Sequence, residues 1–215
     1  MYQFDKIKIM KNRYLYSIFF CVLLQTSTAA QNKTNHFSEL IRDVTGDLNN
    51  DGFPDSVIVM MDIINETRPL RLQLFLSQPD GKRKLIVTSD QIIEAMYPLE
   101  KNGAYNGYQI PDFFIENGIL TMWSEIEKGN INYEFKYQRG NFELIKLHKI
   151  THNSTIVIDE NTVFTETNFN LITGLRTEVD QLLGSDKIVN KRTKTVLIRP
   201  LPKIQDFKFT DKYLY

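Results

Sequence analysis

Short apolar runs separated by polar turn signals recur along most of the chain, and they alternate with a period of two rather than 3.6. The clearest case sets Ile131, Tyr133, Phe135 and Tyr137 against Asn132, Glu134, Lys136 and Gln138. That pattern gives a strand one buried face and one wetted face. Ile119 to Glu127, entered through Glu116-Asn117-Gly118, and Phe142 to Ile150, entered through Arg139-Gly140-Asn141, flank it and predict a three-stranded meander. Upstream, strands are predicted at Ser56 to Met61, Leu70 to Ser77 and Lys84 to Thr88, the last after the turn Pro79-Asp80-Gly81. Downstream they are predicted at Thr162 to Ile172, Leu175 to Val179 and Thr195 to Ile198, where Pro200 and Pro202 close the run. Helix signals are few: Ser89 to Tyr97 predicts two turns and Glu178 to Leu183 one or two more. The expected fold is mainly β, or α+β with few short helices: an antiparallel, sandwich-like sheet in a single domain over residues 31–215.

The first thirty residues differ in kind. Lys6, Lys8, Lys11 and Arg13 precede the apolar run Tyr16 to Leu24, and the small residues Ser27-Thr28-Ala29-Ala30 follow. This order predicts a secretory signal peptide over residues 1–30. The run falls short of the roughly 20 apolar residues of a membrane span, and no transmembrane segment is expected in the mature chain. The expected location is therefore exported, either periplasmic or extracellular. Cys21, the only cysteine, lies inside the leader, so the mature chain has no thiol for a disulfide, a nucleophile or a zinc site. The leader carries four basic residues and one acidic one, leaving 22 basic and 25 acidic residues, a net charge of −3, over residues 31–215. Nucleic acid is not expected as a partner.

One stretch carries concentrated chemistry. In Gly46-Asp47-Leu48-Asn49-Asn50-Asp51-Gly52-Phe53-Pro54-Asp55, oxygen-bearing side chains fall at positions 1, 3, 5 and 9 as Asp47, Asn49, Asp51 and Asp55. The Phe53 carbonyl is available at position 7, and Gly52 permits a sharp turn at position 6. Calcium takes 6 to 8 oxygen ligands, which alternate residues of a curled loop can supply. Three carboxylates crowded without a counterion repel one another. An EF-hand is excluded, because position 12 is Ile58 in a β-branched run rather than a bidentate glutamate. The expected metal ligands are Asp47, Asn49, Asp51, Phe53 and Asp55, with Ca²⁺ in a structural role in a loop that precedes the first strand. The bland alternative is an Asx-rich turn whose carboxylates are merely solvated.

The pattern D-x-N-x-D-G-x-x-D followed directly by a strand resembles the calcium loops of FG-GAP repeats, found in the blades of integrin-α-type propellers and in related secreted bacterial proteins. The resemblance implies a loop closed by Asp55. It covers only residues 47–55 and the strand after them, whereas a propeller would carry several such loops. A broader resemblance is to uncharacterised exported bacterial β-rich proteins with one such loop. It rests on the late segment Asn168-Phe169-Asn170-Leu171-Ile172-Thr173-Gly174 and on the tyrosine-turn-aromatic stretch Tyr137-Gln138-Arg139-Gly140-Asn141-Phe142-Glu143-Leu144-Ile145. That family implies no reaction.

Other constellations say less. His148 and His152 sit four apart, a spacing that spans roughly 13 Å on a strand. Glu125 and Glu127 lie on one face of a strand beside Trp123, and a cleft gathering Glu125, Glu127 or Asp112 near a histidine would favour a carboxylate hydrolase. Serine-nucleophile, H-E-x-x-H and glycine-rich phosphate motifs are absent from the sequence. Tyr97, Tyr105 and Tyr108 could offer rings to a sugar, or pack over a sheet edge. Lys191-Arg192-Thr193-Lys194 reads as a lysine-guarded edge strand or as a dock for an acidic partner. The resulting expectation is a non-enzymatic, calcium-binding structural or interaction module of the cell envelope or exterior, with a protein or glycan partner. A secreted hydrolase and an inhibitor or immunity-type protein are the alternatives.

Overall fold

The computed structural model describes residues 36–154, 160–185 and 187–213; the expected leader lies outside the described residues. Among the described residues, eleven strands form two antiparallel sheets. The first has the order β1 (Phe37–Gly46), β2 (Asp55–Asp62), β3 (Leu70–Ser77), β4 (Arg83–Ser89). The second has β5 (Asp112–Glu116), β6 (Ile119–Ile126), β7 (Gly129–Gln138), β8 (Asn141–His152), β9 (Val163–Asn170), β10 (Leu175–Leu182) and β11 (Ile188–Thr195), each beside its neighbour in the chain. The fold is thus mainly β, and the only helices among the described residues are 3-10 turns.

The core lies between the sheets. Val57, Val59, Leu72 and Leu74 of the first face Leu120, Ile131, Phe135, Leu144 and Leu147 of the second, all with no solvent exposure. Each such side chain removed from water contributes about 1.5–3 kcal/mol before entropy is counted. Along one side β1 lies beside β5. There the Arg42 guanidinium donates to Asp112 Oδ1 at 3.2 Å and to the Ile110 carbonyl at 3.3 Å. Gly46 approaches so closely that a Cβ would stand 2.7 Å from Ile115 Cγ2. Along the other side the C-terminal segment fills the gap between β4 and β8. Leu144 N donates to the Pro202 carbonyl at 2.8 Å, Ile204 is fully buried, and the Phe207 ring meets Tyr133 edge-on at 5.1 Å.

Beyond β8 the larger sheet leaves the sandwich. Thr167 and Phe169 are the last of its strand residues to be buried, and all eight residues of β11 are exposed. On the face that continues the core, ion pairs replace apolar packing. Arg176 pairs with Glu178 at 2.8 Å, and Arg192 reaches Glu178 at 3.0 Å and also Asp180.

Several sequence expectations need correction. Glu178 to Leu182 belongs to strand β10 and not to a helix, and Leu183 lies in the turn after it, because β10 pairs along its length with both β9 and β11. Ser89 to Tyr97 also forms no helix: Met96 N and Tyr97 N donate sideways to the Arg68 and Thr67 carbonyls at 3.2 and 3.0 Å, and the only helical turn nearby is Leu99–Lys101. The strand expected at Thr195 to Ile198 runs instead from Ile188 to Thr195. The chain then turns under the sheet, with Val196 N donating to the Gly174 carbonyl at 2.7 Å. Two strands, β1 and β5, went unpredicted.

The Arg192 pairs hold Asp180 below the usual carboxylate range, the Arg192 hydrogen bond being the main cause and Thr165 the next. A depressed native value contributes stability above the ordinary carboxylate pKa that is lost as pH falls through the native one. Arg192→Ala should therefore raise hydrogen exchange in β11 at pH 7, and the difference from wild type should shrink as pH falls below the ordinary carboxylate range and Asp180 takes up its proton.

Candidate functional site

The acidic loop joins β1 to β2, so the strand it opens is the second of its sheet. Asn50 and Gly52 take left-handed backbone angles, φ 60° and 86°, and curl the chain. The curl aims backbone N–H groups at side-chain oxygens. Asp47 accepts from Gly52 N at 2.8 Å and Asp51 N at 3.2 Å, and Asn49 Oδ1 accepts from Asp51 N at 3.0 Å. Asp51 accepts from Phe53 N at 2.9 Å and from Asn49 Nδ2 at 2.7 Å. These are the local side-chain-to-backbone bonds that Asx residues favour in turns.

Asp55 is different, being fully buried. Its Oδ2 accepts from Leu48 N and its Oδ1 from Ser77 N, both at 2.8 Å. One carboxylate therefore ties the loop's second residue, the start of β2 and the end of β3 together. The Ser77 hydroxyl also donates to the Pro54 carbonyl. From the other side the loop rests on the β5–β6 turn, where a Cβ on Gly118 would come within 2.4 Å of Asn50 Nδ2. Leu48, buried at 1% exposure, plugs the end of the core. Phe53 is exposed.

The electrostatics diverge along the loop. Backbone donors, Gly52 N first, hold Asp47 below the ordinary carboxylate range. Burial pushes Asp55 up, its two backbone hydrogen bonds oppose that, and the charges of Asp51 and Asp47 add to the rise. The charged form of Asp55 is thus the strained one. A nearby cation would reverse that balance.

The donor set is all oxygen, as a hard cation requires: three carboxylates, one amide and the Phe53 carbonyl, with water completing a shell of 6 to 8. Each carboxylate oxygen that accepts one N–H keeps a further lone pair. A cation taking both Asn49 and Asp51 would displace the bond between Asn49 Nδ2 and Asp51 Oδ2. Asp47, Asn49 and Asp51 are linked by shared hydrogen bonds, whereas Asp55 is spent on Leu48 and Ser77. Among the described residues, no three Asp, Glu, His or Cys side chains converge as a metal site. The residues fit the ion in chemistry and spacing. Their convergence would come with the ion.

The other candidate residues do not assemble. His148 pairs with Glu166 at 3.0 Å and His152 with the Ser154 hydroxyl at 2.6 Å. Glu125 accepts from Gln109 N at 3.0 Å and borders a cavity of about 40 Å³ also lined by Ile93, Met122, Tyr133 and Phe207. Asp112 is engaged by Arg42. Tyr97 and Tyr105 pack on each other at 6.2 Å, and Lys101 lies over Tyr108 at 5.3 Å. Sequence reasoning missed Leu48, Ser77 and Asn50 as the residues that seat the loop. The left-handed preference of asparagine is the one local signal among them.

No family model, curated protein or solved structure matches this chain.

Asp55→Ala would leave the Leu48 and Ser77 N–H groups unpaired, at about 1–3 kcal/mol for each that stays buried. Urea unfolding should register a loss of about 2–4 kcal/mol, larger than for Asp51→Ala in the absence of added calcium.

Proposed function

We propose that the protein is an exported, non-enzymatic calcium-binding module of the cell envelope or exterior, in which Asp47, Asn49, Asp51, Asp55 and the Phe53 carbonyl hold Ca²⁺ for a structural purpose. The observation that carries this reading is the loop's placement. Its carboxylates sit where β1, β2, β3 and the β5–β6 turn meet, so a cation there would brace both sheets at one end. The sequence spacing supports the choice of ion, since a hard divalent cation matches an all-oxygen donor set. The bordering aspartates also raise the cost of keeping Asp55 charged, a cost that a divalent ion offsets. The leader expected at residues 1–30 would carry the chain to compartments where calcium is millimolar and weak sites fill.

Extracellular calcium modules bind at about 10⁻⁴ to 10⁻³ M, and a Kd of ~0.1 mM at ~1 mM calcium adds about 1.4 kcal/mol. For a domain of this size that is a shift of about 3–6 °C. Thermal melts with calcium and with chelator should show that gap in the wild type and its loss in Asp51→Ala. Equal melting temperatures for the wild type in both buffers would overturn the reading.

A further inference from the structure

Strand β6 outruns its neighbour: β5 pairs as far as Asp112 opposite Trp123, while β6 continues to Ile126. Where that ladder ends, Gln109 N donates to the Glu125 carboxylate at 3.0 Å in place of a strand partner, and a cavity of about 40 Å³ opens beside Ser124. Ile92, Ile93, Met122 and Phe207 wall it and are buried. Another wall is braced by Asn106, which is 7% exposed: its side chain donates to the Ala95 carbonyl at 2.9 Å and accepts from Tyr108 N at 2.8 Å. The cavity is therefore formed before any ligand arrives. It lies at the far end of β6 from the turn that seats the acidic loop, about 20 Å along the strand.

Charge selects one end of the ligand. Of the residues that line the cavity only Glu94 and Glu125 are charged, and both are half-buried. Asp112, Glu134 and Glu178, half-buried elsewhere, each hold an arginine or a lysine, because a carboxylate withdrawn from water needs a partner. Glu94 and Glu125 hold neither among the described residues.

The surroundings do not supply that cation. Residues 90–112, 122–133 and 204–211, which form the cavity, carry eight acidic and three basic side chains. Arg42, Arg68 and Arg71 reach them from the first sheet and its β2–β3 turn, and are engaged by Asp112, the Tyr97 ring and Asp90. Lys101 donates to the Asn106 carbonyl and lies over the Tyr108 ring at 5.3 Å, while Lys128 and Lys208 are exposed and pair with neither carboxylate. Eight acidic groups against six basic ones leave a net charge of −2.

The walls select the other end. A cavity of about 40 Å³ is little larger than the ~30 Å³ share of one water, so the inserted group is a short alkyl chain and not a ring. We infer that this cavity binds a small alkylammonium ion, its ammonium held by the Glu94 and Glu125 carboxylates and two or three carbons set against Ile93, Met122 and Phe207. The site gives the interaction part of the reading above a ligand class and rests on nothing in the acidic loop. The purified protein would be titrated with ethylammonium and isopropylammonium, with isopropanol as the neutral isostere and isobutyrate as the anion, while methyl NMR follows Ile93, Met96 and Met122.

At least one ammonium ion should shift those methyls saturably, with a Kd of about 0.1–10 mM, the range open to a ligand of so few atoms. Isopropanol and isobutyrate should bind at least about tenfold more weakly. Glu94→Gln and Glu125→Gln keep the shape and remove the charge, and each should cost about tenfold, the worth of one charged hydrogen bond. Glu127→Gln, at an exposed position just past the cavity, should leave affinity unchanged. No saturable shift with either ammonium ion up to about 100 mM, well above that range, overturns the inference. So does equal binding of isopropanol or isobutyrate, or affinity indifferent to both Glu94→Gln and Glu125→Gln. Titrations run in chelator keep the two readings apart: a null melt with calcium leaves the cavity standing, and a null amine titration leaves the calcium reading standing.

Discussion

A carboxylate without solvent exposure holds the first hairpin of this fold in place. Asp55 accepts two backbone hydrogen bonds, one from inside its own loop and one from the far end of β3. Those bonds oppose a burial that would otherwise disfavour the charge. The arrangement fixes where β2 begins, and with it the register that sends Val57, Val59 and Met61 into the core. It also gathers Asp47 and Asp51 beside a group already reluctant to ionise. Under the proposed reading a divalent ion would relieve that conflict, because a nearby cation favours the charged carboxylate.

Closure of the sandwich is achieved without cysteine. One side relies on a close backbone approach at Gly46 and on the Arg42 fork, the other on a C-terminal segment whose Ile204 and Phe207 complete the core. Strands β9 to β11 then extend past the sandwich, exchanging apolar packing for ion pairs. Exposed pairs of this kind contribute little each, but here Arg192 serves two carboxylates at once. An edge strand carrying Lys191, Arg192 and Lys194 also resists pairing with other chains.

Legibility in the sequence followed burial. Strand β7 was plain because its odd-numbered residues from Ile131 to Phe135 are buried and its even-numbered ones are wet. Strand β1 was hidden because it lies at an edge with no fully buried residue, so its pattern reads as a polar lead-in. In β10 only the end residue Leu175 is exposed and the rest are half-buried, and Glu178 to Leu183 imitates a short helix. β11 was misplaced because eight exposed residues carry no alternation to detect. The loop's donors were legible because their bonds are local. The seat of the loop on Ser77 and Gly118 was not, since those contacts join residues far apart in the chain.

The most direct test is a calcium titration of the purified protein followed by both calorimetry and amide NMR. The expected result is one ion per chain with a Kd of about 10⁻⁴ to 10⁻³ M, the largest shifts falling on the amides of Leu48, Asp51, Gly52 and Phe53. The amides of the 47–55 loop staying still at calcium concentrations well above that range would contradict it.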